Sequence, residues 1–277
     1  MTGRAVHIAR RTGRVALYLL ALVGVAHFAT IWLRPAVRGM NPAACEQTGS
    51  GSLHLAGLWI RYLSGDTPVF DNWTGACAFA GQNAEALQSG QTVDIVFIGD
   101  SITQHWLAAD PALFGKTRLN RGIPGHSAAQ VLTRFPSDVV ELRPRIVHLL
   151  AGTNDVLGVH GPATPAIWQG TMRAIVDLAK SNGITVILGT MPPMLKNPFD
   201  PHHLPAAVIA EQNRWLRALA QEKGLILADY HAVLASADGG FKSGLSDDGT
   251  HPTAAGYAAM RPLLDKALAE ANALSKK

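Results

Sequence analysis

At 277 residues and 48% hydrophobic, the chain can bury one sizeable core, with length to spare for no more than a small second domain. Its net charge of +4 is misleading, because Arg4, Arg10, Arg11, Arg14, Arg34 and Arg38 all lie in residues 1–38, where there is no acid, so the remainder carries 4 − 6 = −2. That balance excludes a body built to bind nucleic acid or another polyanion.

The first predicted element follows that arginine cluster. "VALYLLALVGVAHFATIWL", Val15 to Leu33, is a 19-residue apolar run broken by His27 and Thr30, long enough to span a bilayer. A basic flank before such a run describes either a secretory signal, with Gly24-Val25-Ala26 as a poor cleavage site, or a membrane anchor with its N-terminus in the cytoplasm. Residues 1–39 are therefore expected to be a signal peptide or membrane anchor, and the protein to be exported: anchored, periplasmic or extracellular. Export bears on Cys45 and Cys77, the only two cysteines. An oxidising compartment permits a disulfide between them, two buried thiols being the alternative, and neither has C-x-x-C spacing.

Residues 34–52 have the Pro, Gly and Ser content of a linker. "LHLAGLWIRYL", 53–63, reads as a short amphipathic helix, and one more helix is expected near Asn83 to Gln88. Residues 40–90 are thus expected to form a linker and small N-terminal extension, with the main domain at 91–277.

From residue 91 strands and helices alternate. Short runs rich in β-branched residues predict strands at Val93–Ile98, Arg118–Asn120, Ile146–Leu150, Thr185–Gly189 and Ile226–Asp229. Between the later ones, residues 164–183 and 206–224 carry apolar side chains at helical spacing and end at Gly183 and Gly224. This order predicts an α/β fold with a mostly parallel sheet and helices on both faces.

In such a sheet the crevice beyond the carboxyl ends of the strands holds the chemistry. The segments just after the strands are Gly99-Asp100-Ser101, Arg121-Gly122-Ile123-Pro124-Gly125, Ala151-Gly152-Thr153-Asn154-Asp155 and "TMPPMLKNPFDPHHLP", and the last helix follows "SDDGTHP". Acyl transfer needs a nucleophile, a base, a group that orients the base, and donors for the oxyanion. Ser101 is the candidate nucleophile and His251 the candidate base. Asp248, three residues before His251, is placed to hold the imidazole Nδ1. Gly122, through its N–H, and Asn154, through its amide, join the Ser101 N–H as candidate oxyanion donors. Each residue has a plainer reading as a helix cap or turn former. Four such features on one side of one sheet favour the site.

The blocks "GDSIT", "NRGIPG", "GTND" and "DGTHP" resemble, in order and context, those of the SGNH hydrolases, also called GDSL esterases and lipases, over about residues 91–273. "FIGDSITQ", "RGIPGHSAAQVLTR" and "GYAAMRPLLDKAL" look closest to the subgroup like the catalytic subunits of platelet-activating-factor acetylhydrolase. The resemblance implies a three-layer flavodoxin-like fold, a Ser101, His251 and Asp248 triad, an oxyanion hole of Ser101, Gly122 and Asn154, and ester hydrolysis with no metal or cofactor.

Competing features are weaker. "GHSAA" approximates a G-x-S-x-G elbow at Ser127 but lacks its last glycine, so a helix N-cap is the better reading. Asp100 is given a structural hydrogen-bonding role. Asp200, His202, His203, His160 and His126 crowd the loops without regular metal-ligand spacing. Met194, Leu195, Phe199 and Trp106 are candidate cleft walls. The expected partner is a small ester, an acylated carbohydrate or a lipid, with short acyl groups such as acetyl favoured; lysophospholipids, thioesters and acyl transfer are alternatives. An anchored ligand-binding module on a hydrolase fold is the non-enzyme alternative.

Overall fold

The apolar run that stops at Gly99 is β1 (Ile95–Gly99), buried along its whole length. With β2 (Arg118–Gly122), β3 (Ile146–Leu150), β4 (Thr185–Gly189) and β5 (Ile226–Ala228) it forms a parallel sheet in the order β2-β1-β3-β4-β5. The structure is a computed structural model and describes residues 73–198, 200 and 202–274. The helices are α1 (Ala80–Gln88), α2 (Ser101–Ala109), α3 (Ala128–Phe135), α4 (Thr153–Leu157), α5 (Pro165–Ser181), α6 (Pro205–Lys223), α7 (Tyr230–Leu234) and α8 (Ala254–Leu274).

Strand residues alternate between two cores because successive side chains leave a strand on opposite faces. Val96, Ile98, Val147, Leu149, Val186 and Leu188 pack with Val131 and Phe135 of α3, Met172 and Ile175 of α5, and Leu216 of α6. Ile95, Phe97, Ile146, Leu150 and Ile187 pack with Ile102 and Trp106 of α2 and with Tyr257, Met260 and Leu264 of α8. Helix, sheet and helix thus form the three layers expected. β2 runs past its predicted end at Asn120, because Gly99 and Gly122 remain paired in register.

The N-terminal apolar run, the 53–63 segment and Cys45 lie outside the described residues. Among the described residues no helix is long and apolar enough to cross a membrane. Cys77 is disulfide-bonded.

The described part of the expected extension, residues 73–90, is packed into the domain. Ala86 belongs to the first core. Buried Asn83 donates from Nδ2 to Asp138 Oδ1 at 2.8 Å and accepts at Oδ1 from Arg121 Nε at 3.0 Å and Nη2 at 2.7 Å. Gln130 Nε2 donates to the Trp73 carbonyl at 2.7 Å. A segment bonded this way to both β2 and α3 has few free backbone choices left, unlike a linker.

Candidate active site

Ser101 is the first residue of α2, just past the carboxyl end of β1. Asp100 caps that helix: its Oδ1 accepts from the Ile102 N–H at 2.9 Å. Burial pushes the Asp100 carboxyl up to about 7, against the Ile102 N–H and the positive charge of His251. The turn is braced from below by Arg134 of α3, fully buried, which donates to the Gly99 carbonyl at 2.8 Å and pairs with Asp138 at 2.9 Å.

His251 reaches this turn from the loop before α8. The Ser101 hydroxyl donates to His251 Nε2 at 2.9 Å. On the other side of the ring, Nδ1 donates to Asp248 Oδ2 at 2.6 Å, which assigns the tautomer with Nε2 free to accept. The other carboxylate oxygen, Asp248 Oδ1, accepts the backbone N–H groups of Thr250 at 2.8 Å and His251 at 2.7 Å. Desolvation alone would raise the Asp248 carboxyl, but the His251 ring and these two N–H groups outweigh it and hold it at about 2. The carboxylate therefore stays charged and fixed on the imidazole over the whole neutral range. Such a line can remove a proton from a hydroxyl and return it to a leaving group.

Of the expected oxyanion donors, Gly122 is the one the geometry corrects. Its N–H donates to Asn120 Oδ1 at 2.9 Å, so that donor is already satisfied within the chain. A Cβ there would lie 2.2 Å from the Gln104 nitrogen and 2.8 Å from the Asp100 carbonyl, so Gly122 serves the close approach of α2 to β2. The open donor of this loop is Gly125, with φ +77° and an N–H that has no acceptor among the described residues. Its carbonyl accepts from His160 Nε2 at 2.9 Å. The Pro124-Gly125 dipeptide, a turn signal that calls for positive φ at the glycine, was the clue in the sequence.

Asn154 lies in α4, buried, and donates one amide hydrogen to the His126 carbonyl at 3.0 Å. The second hydrogen is left to another acceptor. Beside it, Asp155 Oδ2 accepts the Ala128 N–H at 2.9 Å, tying the loops after β2 and β3 together. Burial pushes the Asp155 carboxyl up to about 6.

The competing features fall into structural roles. Ser127 caps α3 in a reciprocal capping box with Gln130. Trp106 is fully buried among the rings of Tyr230, Tyr257 and His148, and Met194 belongs to the first core, so neither is a cleft wall. The loop after β4 is held by buried Asn213, which donates to the Met191 carbonyl at 2.9 Å and accepts the Met191 N–H at 2.8 Å. Phe199 lies outside the described residues. Among the described residues no group of three or more His, Cys, Asp or Glu side chains is arranged to hold a metal ion.

The chain is similar to known acylhydrolases. Residues 97–259 match the model of the GDSL-like Lipase/Acylhydrolase family. Among solved structures, one described as an acylhydrolase from Bacteroides fragilis is 32% identical, with a TM-score of 0.66 over 72% of this chain and 97% of that one. Two more distant structures share the fold. One from Streptococcus pneumoniae, described as a platelet activating factor, is 20% identical with a TM-score of 0.59, over 78% of this chain and 99% of that one. The other, an acetylxylan esterase from Geobacillus stearothermophilus, is 20% identical with a TM-score of 0.50, over 64% and 95% respectively. No curated protein matches the chain.

Proposed function

The chain belongs to the GDSL-like lipase/acylhydrolase family and is a carboxylic ester hydrolase; on that premise we propose that it is a serine esterase in which Ser101, His251 and Asp248 form the triad and short acyl esters, acetyl foremost, are the substrates. The observation that carries the reading is the unbroken hydrogen-bonded line Ser101 Oγ, His251 and Asp248, at 2.9 and 2.6 Å.

Ser101 attacks the ester carbonyl while His251 Nε2 takes its proton, and Asp248 steadies the imidazolium that forms. The oxyanion is met by the N–H groups of Ser101 and Gly125 and the free amide hydrogen of Asn154, with Gly125 in the place expected of Gly122. His251 then gives its proton to the departing alcohol, and water activated by the same ring hydrolyses the acyl-enzyme.

Two things support short acyl groups. Trp106 and Met194, two of the four candidate cleft walls, are buried in the cores and are not available to line a groove for a long acyl chain. The Geobacillus neighbour is an acetylxylan esterase, so an acetylated carbohydrate is the favoured class of substrate. Residues 1–39, with their arginine flank and apolar run, support export with a signal peptide or membrane anchor, and hence action outside the cytoplasm. Nitrophenyl esters from acetate to decanoate, with Ser101→Ala as control, test the reading. Fastest turnover on acetate and none in the variant is expected; fastest turnover on decanoate would replace short acyl groups by lipid.

A further inference from the structure

His105 stands one helical turn beyond Ser101 on α2, so both side chains leave the same face of the helix. Its ring lies against that of His251, with centroids 5.0 Å apart and planes inclined at 52°. Among the described residues, the groups that meet His251 are Ser101 and His105 from α2, Asp248 from its own loop, and the carboxyl of Asp100 at the cap below.

His251 is held by hydrogen bonds to Ser101 and Asp248, but the bond to Ser101 is lost whenever that hydroxyl is acylated, which leaves the ring tied by Asp248 and able to turn about its side-chain torsions. We propose that His105 is a positioning residue for the reaction, its ring forming the side stop that keeps the His251 imidazole aligned between Ser101 and Asp248. The proposal rests on the triad reading given above. Near-attack geometry is demanding, and a displacement of about 1 Å can cost about a hundredfold in rate. A stop must also not oppose the imidazolium that His251 becomes. Partial burial first, and then the positive charge of His251, lower the affinity of His105 for a proton, against the pull of Asp248. A neutral ring beside a charged one meets that condition, whereas a second cation would not.

The test uses the full chain and its variants His105→Ala, His105→Phe and His105→Lys, with kcat and KM for nitrophenyl acetate followed against pH. His105→Ala should lower kcat about tenfold with KM within about twofold, and His105→Phe should restore most of the loss because it returns a ring. In His105→Lys the acid limb of kcat/KM should move to lower pH, since an ammonium group at this distance opposes protonation of His251. Wild-type kcat in His105→Ala, no recovery in His105→Phe, or an unmoved acid limb in His105→Lys would each overturn the proposal. Ser101→Ala separates the two claims: if it is dead while His105→Ala is unaffected, only the role of His105 falls, and if it turns over like wild type, the triad itself falls.

Discussion

Asp248 grips His251 twice, through Oδ2 to the ring Nδ1 at 2.6 Å and through Oδ1 to the backbone N–H at 2.7 Å. One carboxylate thus fixes both the position of the residue and the tautomer of its ring. Asp248→Asn keeps the Oδ1 contacts but turns an amide N–H toward Nδ1, which forces the ring proton onto Nε2, where it faces Ser101. A folded enzyme with kcat lower by about 10³ to 10⁴ is expected. Circular dichroism and steady-state kinetics on the same preparation check it. Because the carboxyl is held at about 2, loss of activity on mild acidification in the wild type does not report Asp248.

The two glycines of the loop after β2 should separate fold from chemistry. Gly122→Ala places a methyl within 2.2 Å of the backbone of α2, so it should melt earlier by several degrees, as expected of overpacking by about 1–3 kcal/mol. Gly125→Ala meets no atom within 4 Å and is strained only by its φ of +77°, about 1–2 kcal/mol. It should fold and lose kcat, because the strain falls on the peptide that donates to the oxyanion. Equal kcat in folded Gly125→Ala and wild type would remove Gly125 from that role.

Residues 73–90 are expected to be a structural part of the domain. Asn83→Ala strips partners from the guanidinium of Arg121 and the carboxylate of Asp138, both buried. Leaving such groups short of hydrogen bonds costs about 1–3 kcal/mol, which a urea titration would read as a lower midpoint at unchanged slope. An unchanged midpoint would mean that the segment rests on the surface without contributing.

Acid stability should depend on His148, buried in β3 with Nε2 2.8 Å from the Tyr230 hydroxyl. Burial lowers its pKa from 6.5 to about 3. The unfolded chain therefore binds a proton that the folded chain refuses, and stability is lost as pH falls below about 6.5. Asp100 acts in the opposite sense: raised from 3.8 to about 7, it favours the folded state increasingly as pH falls from 7 toward 4. His148→Phe isolates the histidine. It should be less stable than wild type at neutral pH, since the Tyr230 hydroxyl loses its partner, yet lose about 3 kcal/mol less between pH 6.5 and 4. Urea titrations at both pH values provide the comparison, and parallel losses in the two proteins would contradict it.

Strand positions were legible because the buried strands, Val93 to Ile98 foremost, are short apolar runs, those of β1 and β4 stopping at Gly99 and Gly189, and a parallel sheet buried on both faces asks for that pattern. Ser101 stood out because its loop follows the end of a strand, and Asp248 with His251 because three residues of one loop before the last helix let a carboxylate reach the imidazole. What was hidden depends on contacts between distant residues. Asn83 and Asp138 are 55 residues apart, so nothing near residue 83 marked it as part of the core. The choice between Gly122 and Gly125 turned on where the Asn120 side chain points, and the contact of His105 with His251 on how α8 is approached. None of these leaves a periodic trace.

Treatment of the full chain with a fluorophosphonate, followed by peptide mass mapping, tests the central claim most directly. The account predicts one phosphonate, carried by the peptide containing Ser101, no labelling in Ser101→Ala, and slow labelling in Asp248→Asn. Modification at Ser127, or full ester hydrolysis in the Ser101→Ala protein, would contradict it.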